Sequence, residues 1–139
     1  ITSSLGKSFG VNGGVIAGDL SFINLIKKDN LFIGCAGMSP AFLEVFVNAQ
    51  QIYRSQLLKL KSNMEYVFDH LKKNTAITID KLYPVFFHSD EQIEQILFDK
   101  DILITSFYYA TSAKKFNRIV LNANHTKEQL DVLIDSINN

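Results

Sequence analysis

The feature that most restricts the fold is a run of apolar residues at helical spacing. Phe42, Phe46, Ala49, Tyr53, Leu57, Leu60, Met64, Val67 and Leu71 follow one another at steps of three or four residues, the repeat of one face of an α-helix. Ser39-Pro40 stands just before them; serine is a good N-cap and proline suits the first helical position. The pattern predicts one helix over 39–73, roughly 50 Å long at the rise of an α-helix. A helix of that length is a long surface helix, a coiled coil or a strut between two domains. The change of pattern after Lys73 favours the strut.

Upstream, Val11-Asn12-Gly13-Gly14 reads as a turn and Val15-Ile16-Ala17-Gly18 as a short buried strand. Asp19 or Ser21 caps a helix running through Asn24 to Lys28, and Leu31–Cys35 reads as a second apolar strand. That order favours a β-α-β unit with a parallel sheet. Downstream, Tyr83–His88 reads as a strand, and Ser89-Asp90-Glu91-Gln92 matches a capping box ahead of a helix with Ile93, Ile96 and Leu97 on one face. Ile102–Phe107 and Arg118–Asn122 are further strands, joined by a polar connection. Thr126-Lys127-Glu128-Gln129 is a second capping box, before a helix that turns Leu130, Leu133, Ile134 and Ile137 inward. The expected class is therefore α/β, ending in a compact β-α-β-β-α unit with its helices on one face of a small sheet.

Charge excludes some functions. Lys plus Arg and Asp plus Glu number 14 each, so formal net charge is zero, and nothing steers the chain to nucleic acid or an anionic membrane. Hydrophobic residues make up 47% of the chain, enough to bury a core, yet no apolar run is long enough to span a bilayer. The start lacks the basic region of a signal peptide, and it opens directly into a Ser/Gly-rich turn, as a cut through a larger domain would. Cys35 has no partner for a disulfide and reads as a small buried hydrophobe in a reducing, cytoplasmic setting. The three histidines are scattered, which argues against a metal cluster; His125, just before Thr126, reads as a turn residue.

Lys7 is the residue with the most chemical promise. On its own it is an ordinary exposed lysine. Gly6-Lys7-Ser8 resembles the end of a phosphate-binding loop, but that motif needs a glycine where Ile1 stands and a helix where Gly10, Gly13 and Gly14 follow. A third reading is a Schiff-base lysine. Such an amine attacks an aldehyde when neutral, a state that burial favours. Gly6 and Gly10 leave room for a flat ring, and the Ser4 hydroxyl is near enough to meet a phosphate.

The whole segment, Thr2-Ser3-Ser4-Leu5-Gly6-Lys7-Ser8-Phe9-Gly10-Val11-Asn12-Gly13-Gly14, resembles the cofactor-lysine segment of the α-oxoamine synthases, in the class II branch of the fold-type I aminotransferase superfamily. The resemblance implies that Lys7 holds pyridoxal 5'-phosphate and that Ser4 contacts its phosphate. The closing stretch Asn117-Arg118-Ile119-Val120-Leu121-Asn122-Ala123-Asn124-His125-Thr126 is similar to the family's last strand and turn. That implies Arg118 binds the carboxylate of an amino-acid substrate, a pairing suited to a planar guanidinium.

On this likeness, residues 1–38 are a remnant of the cofactor-binding large domain with the end of its parallel sheet, 39–73 the connecting helix and 74–139 the small C-terminal domain. The implied activity is a decarboxylating condensation of an amino acid with an acyl thioester, carried out by a cytoplasmic homodimer. An aminotransferase or lyase of the same fold is the alternative, and a non-enzymatic α/β binding module is the rival from another class. Two stretches depart from the family. Ala36 and Gly37 stand where hydroxyls reach a neighbouring subunit's cofactor, leaving Ser39 as a partial substitute, and Tyr109-Ala110-Thr111 lacks a proline. The acid partner of the pyridine nitrogen, the ring-stacking residue and the main phosphate loop of the family have no counterpart here, so the chain alone is expected to be inactive and to bind the cofactor weakly.

Overall fold

The computed structural model describes residues 1–110 and 112–138. Thr111, in the Tyr109-Ala110-Thr111 stretch named above, lies outside them. Contacts divide the chain into two compact units, one over residues 1–54 and the other from Ser55 onward.

In the first unit, β1 (Thr2–Ser4) and β2 (Gly14–Ile16) pair antiparallel, with Thr2 opposite Ile16 and Ser4 opposite Gly14. Three helices follow: α1 (Leu20–Ile26), α2 (Asn30–Gly34) and α3 (Pro40–Asn48). Leu5 and Val11, each 3% exposed, are the buried apolar residues of this unit. None of α1, α2 or α3 fully buries a residue.

Several expectations are corrected here. Val15 and Ile16 form a strand, but an exposed one. Leu31–Cys35 is not a strand: Asp29 caps α2 by accepting the Leu31 N–H at 2.8 Å. A five-residue apolar run is ambiguous by periodicity, and a local cap decides it. With that strand gone, pairing among residues 1–54 is antiparallel rather than the parallel β-α-β arrangement. Cys35 is exposed, not buried. The long helix is broken in two, with Ala49 separating α3 from α4 (Gln50–Leu71). Gln50 Nε2 donates to Phe46 O at 2.8 Å, the carbonyl that an unbroken helix pairs with the Gln50 N–H; a side chain entering the ladder is a usual cause of such a break.

The second unit takes in the later turns of α4, then β3 (Ile77–Ile79), β4 (Val85–His88), α5 (Ile93–Phe98), β5 (Thr105–Tyr108), β6 (Lys115–Val120) and α6 (Lys127–Asn138). The strands form one antiparallel sheet in the order β3-β4-β6-β5. The unit is thus β-β-α-β-β-α: β3, a three-residue edge strand, adds to the expected order. Met64, Val67 and Leu71 of α4, Ile93 and Leu97 of α5, and Leu130, Leu133, Ile134 and Ile137 of α6 pack with Phe86 and Ile119 into one core. Helices therefore cover one face of the sheet. Strand alternation puts Phe87, Phe116, Arg118 and Val120 on the other.

The two capping boxes fare differently. At α6, Gln129 N–H donates to Thr126 Oγ1 at 3.3 Å and Thr126 N–H donates to Gln129 Oε1 at 3.0 Å, the reciprocal pair that the spacing predicts. At α5 the box does not form: Asp90 Oδ1 accepts the Gln92 N–H at 2.9 Å ahead of the helix, and the N-cap Gln92 makes no side-chain capping bond.

Candidate functional site

Ser4 and Lys7 sit on one hairpin. Leu5 N–H donates to Gly13 O at 2.9 Å and Val11 N–H to Leu5 O at 3.1 Å, so the loop is closed at its base beside the two buried residues. Gly10 N–H then donates to Lys7 O at 3.2 Å, making 7–10 a tight turn with Lys7 at its start. Gly10 has φ +66°, a conformation that a side chain would strain. Lys7 is exposed on this turn, so the described residues do not provide the burial that would favour a neutral amine. Ser4 Oγ accepts the Gly6 N–H at 3.3 Å, which holds the hydroxyl over the loop with its own proton available to an acceptor.

The turn is anchored from behind. Tyr53 Oη donates to Phe9 O at 3.0 Å. The Phe9 ring meets Phe46 and Tyr53 edge-on, at 5.4 and 5.0 Å between centroids, an arrangement that aromatic quadrupoles favour. Gly13, at φ +134°, lets the chain pass Met38, whose Cε would lie 2.6 Å from any Cβ there. An open groove of about 640 Å³ runs beside Ser4, lined by Val15, Ile16, Ile23, Phe32 and Lys27 among others. Ser39 is exposed and its hydroxyl makes no capping bond to α3.

Arg118 lies in the second unit, on the helix-free face of β6, opposite Thr105 on one side and Phe87 on the other. Its guanidinium carbon stands 5.5 Å from the Phe107 ring centre. Arg118 Nε is buried and, among the described residues, has no hydrogen-bond partner. A buried charged donor without an acceptor is costly. An incoming carboxylate would supply the acceptor.

His125 acts locally: its Nδ1 accepts the Asn122 N–H at 3.3 Å, while Asn63 Nδ2 donates to the carbonyls of Asn122 and His125, both at 3.1 Å. His88 is nearly buried in the second unit, and this burial pulls its pKa below the usual histidine value against the opposing charge of Asp90.

Two supporting residues escape the sequence reading. Tyr53 is indistinguishable there from any core-facing helical aromatic. Asn117, read from the sequence as the end of a polar connection, lies inside β6 and is fully buried.

The sequence profile of the aminotransferase class I and II family matches residues 1–137. An 8-amino-7-oxononanoate synthase from Fervidobacterium nodosum is 30% identical over 144 residues, which cover 95% of this chain and 36% of that protein. Among solved structures, 8-amino-7-oxononanoate synthase from Francisella tularensis superposes with a TM-score of 0.78 at 19% identity, covering 98% of this chain and 43% of the other. Serine palmitoyltransferase from S. paucimobilis, solved with a bound PLP-myriocin aldimine, gives a TM-score of 0.75 at 17% identity over 98% of this chain and 38% of its own. At such identities the superpositions show the fold. The chain spans about a third of the length of the curated relatives it matches.

Proposed function

The chain belongs to the aminotransferase class I and II family, and from that premise we propose that it forms the lysine-bearing part of a pyridoxal-phosphate-dependent acyltransferase of the α-oxoamine synthase type. The observation that carries the reading is the Ser4–Lys7 hairpin, which sets Lys7 at the start of a hydrogen-bonded, glycine-bounded turn with a serine hydroxyl held over the same loop. The residues fit the cofactor: a Cβ placed at Gly10 meets nothing within 4 Å, so open space lies beside the turn.

Lys7 Nζ and Ser4 Oγ are the groups that would hold pyridoxal 5'-phosphate, the amine at its aldehyde and the hydroxyl at its phosphate. The cofactor, when bound, supplies an electron sink for carbanion chemistry. The Lys7 amine, when free, would hold or pass a proton as a general acid and base. Arg118 fixes the amino acid's carboxylate by its guanidinium fork, which satisfies the orphaned Nε.

The second substrate would be an acyl thioester, whose thiol leaves as the new carbon–carbon bond forms, while the amino acid's carboxylate leaves as carbon dioxide. The relatives named above support this over other reactions of the fold. The working enzyme is a cytoplasmic homodimer, and residues 1–38 are part of its large domain. The exposed apolar side chains of α1, α2 and α3, Leu31 at 82% among them, support a larger domain packing there. On this reading these 139 residues alone are expected to be inactive. The test is substrate profiling of the longest native polypeptide carrying these residues. Carbon dioxide release that requires both an amino acid and an acyl-CoA supports the proposal. Amino-group transfer to 2-oxo acids without acyl-CoA makes it an aminotransferase instead.

A further inference from the structure

Asn117 is 0% exposed, beside a core of aliphatic and aromatic side chains, and shares its burial with one other polar residue among those described, His88. A buried amide persists only when its hydrogen bonds are made, and here they are. Oδ1 accepts from Ser106 Oγ on β5 at 2.8 Å; Nδ2 donates to Asp90 O at 2.6 Å and to His88 O at 3.4 Å. The Asp90 N–H in turn donates to His88 Nδ1 at 3.2 Å, closing the link that leads into α5. One side chain thus ties β6 to β5 and to the end of β4.

That tie decides something that hydrophobicity leaves open. Strand alternation fixes which face a residue occupies, but it repeats every two residues. Along β6 and beyond, Asn117, Ile119 and Leu121 all point inward. A two-residue slip would still bury aliphatic side chains and keep Arg118 on the open face. It would also carry Arg118 roughly 7 Å along the sheet, at the usual rise per strand residue. On the buried face of the sheet the polar partners of Asn117 tell the two registers apart: they exist where Asn117 stands opposite both Ser106 and His88.

We propose that Asn117 is the positioning residue for Arg118, setting the register of β6 so that the guanidinium stands opposite Thr105 and Phe87. The proposal rests on the reading of Arg118 as the carboxylate-binding residue. It adds a residue that touches neither substrate nor cofactor.

The experiment uses the longest native polypeptide carrying residues 1–139, with glycine and L-alanine as minimal amino-acid probes. Asn117→Leu keeps the branched heavy-atom skeleton in a bulkier side chain and removes every side-chain bond; Ser106→Ala removes one bond and leaves β6 intact should the first variant fail to fold. Two readouts are taken: KM against kcat for the probes, and cross-strand nuclear Overhauser contacts of Arg118 with Thr105 and Phe87, which need no activity. Asn117→Leu is expected to raise KM about tenfold or more with kcat changed far less, and to lose or double the cross-strand contacts. Ser106→Ala shifts both in the same direction by less. Unchanged contacts together with KM within twofold in either folded variant overturn the proposal. Arg118→Ala separates the two ideas. If it leaves KM unchanged, the carboxylate reading of Arg118 fails, while the cross-strand contacts still decide whether Asn117 sets the register.

Discussion

Tyr53→Phe removes one hydroxyl and leaves the ring, so it isolates the bond that holds Phe9 O behind the Lys7 turn. The bond is 3.0 Å long, neutral and only partly buried. A net value near the low end of the usual range, about 0.5–1 kcal/mol, applies because water can replace part of it. The opening equilibrium of the loop should rise about two- to fivefold at that cost. Tyr53→Ala also removes the edge-on contact with Phe9 and the tilted one with Phe46. The total should then reach about 2–3 kcal/mol, or roughly thirtyfold or more in opening. The assay is amide hydrogen exchange at Gly10 and Val11, whose N–H groups donate to Lys7 O and Leu5 O, in the longest native polypeptide. Faster exchange at these two amides, graded from Tyr53→Phe to Tyr53→Ala, is expected. If Tyr53→Phe exchanges like the wild type, the hydroxyl does not anchor the turn. If Tyr53→Ala does as well, the aromatic cluster does not support it either.

Thr126→Ala breaks one half of the capping box on α6 and should lower stability by about 1 kcal/mol; thermal unfolding should show the midpoint falling by about 4–8 °C if the unit melts as a small domain. Burial of His88 gives a pH dependence whose sign is fixed. Its folded pKa lies below the ordinary value, so the unfolded chain takes up the proton first as pH falls. The stability is complete above about 6.5 and is lost as pH drops from there through the folded pKa. Urea midpoints at pH 7.5 and 5.5 should differ more in the wild type than in His88→Gln, and equal differences would remove His88 as the cause.

What was legible in the sequence, and what was not, follows from how local each signal is. The apolar face of α6 and its capping box are contained within a dozen residues, and Thr126, Gln129, Leu130 and Ile137 do what their spacing implies. The strand with Arg118 was likewise visible, beginning at Lys115 rather than at Arg118. Failures came where a single side chain overrode the pattern. Asp29 turned an apolar run into α2, and Gln50 accompanies the break in an otherwise unbroken helical period. β3 was missed because Ile77-Thr78-Ile79 is too short to signal alone and gains its identity from pairing with β4. At the site, Ser4, Lys7 and Arg118 were named from a family likeness. The side chains that hold them, Tyr53 and Asn117, act across 44 and 11 or more residues of chain, where spacing carries no information.

The most direct measurement is chemical. The longest native polypeptide is incubated with pyridoxal 5'-phosphate, reduced with borohydride, digested and weighed peptide by peptide. The account requires one stoichiometric adduct on the peptide containing Lys7, absent from Lys7→Ala. An adduct at a different lysine, or none at all, would contradict it.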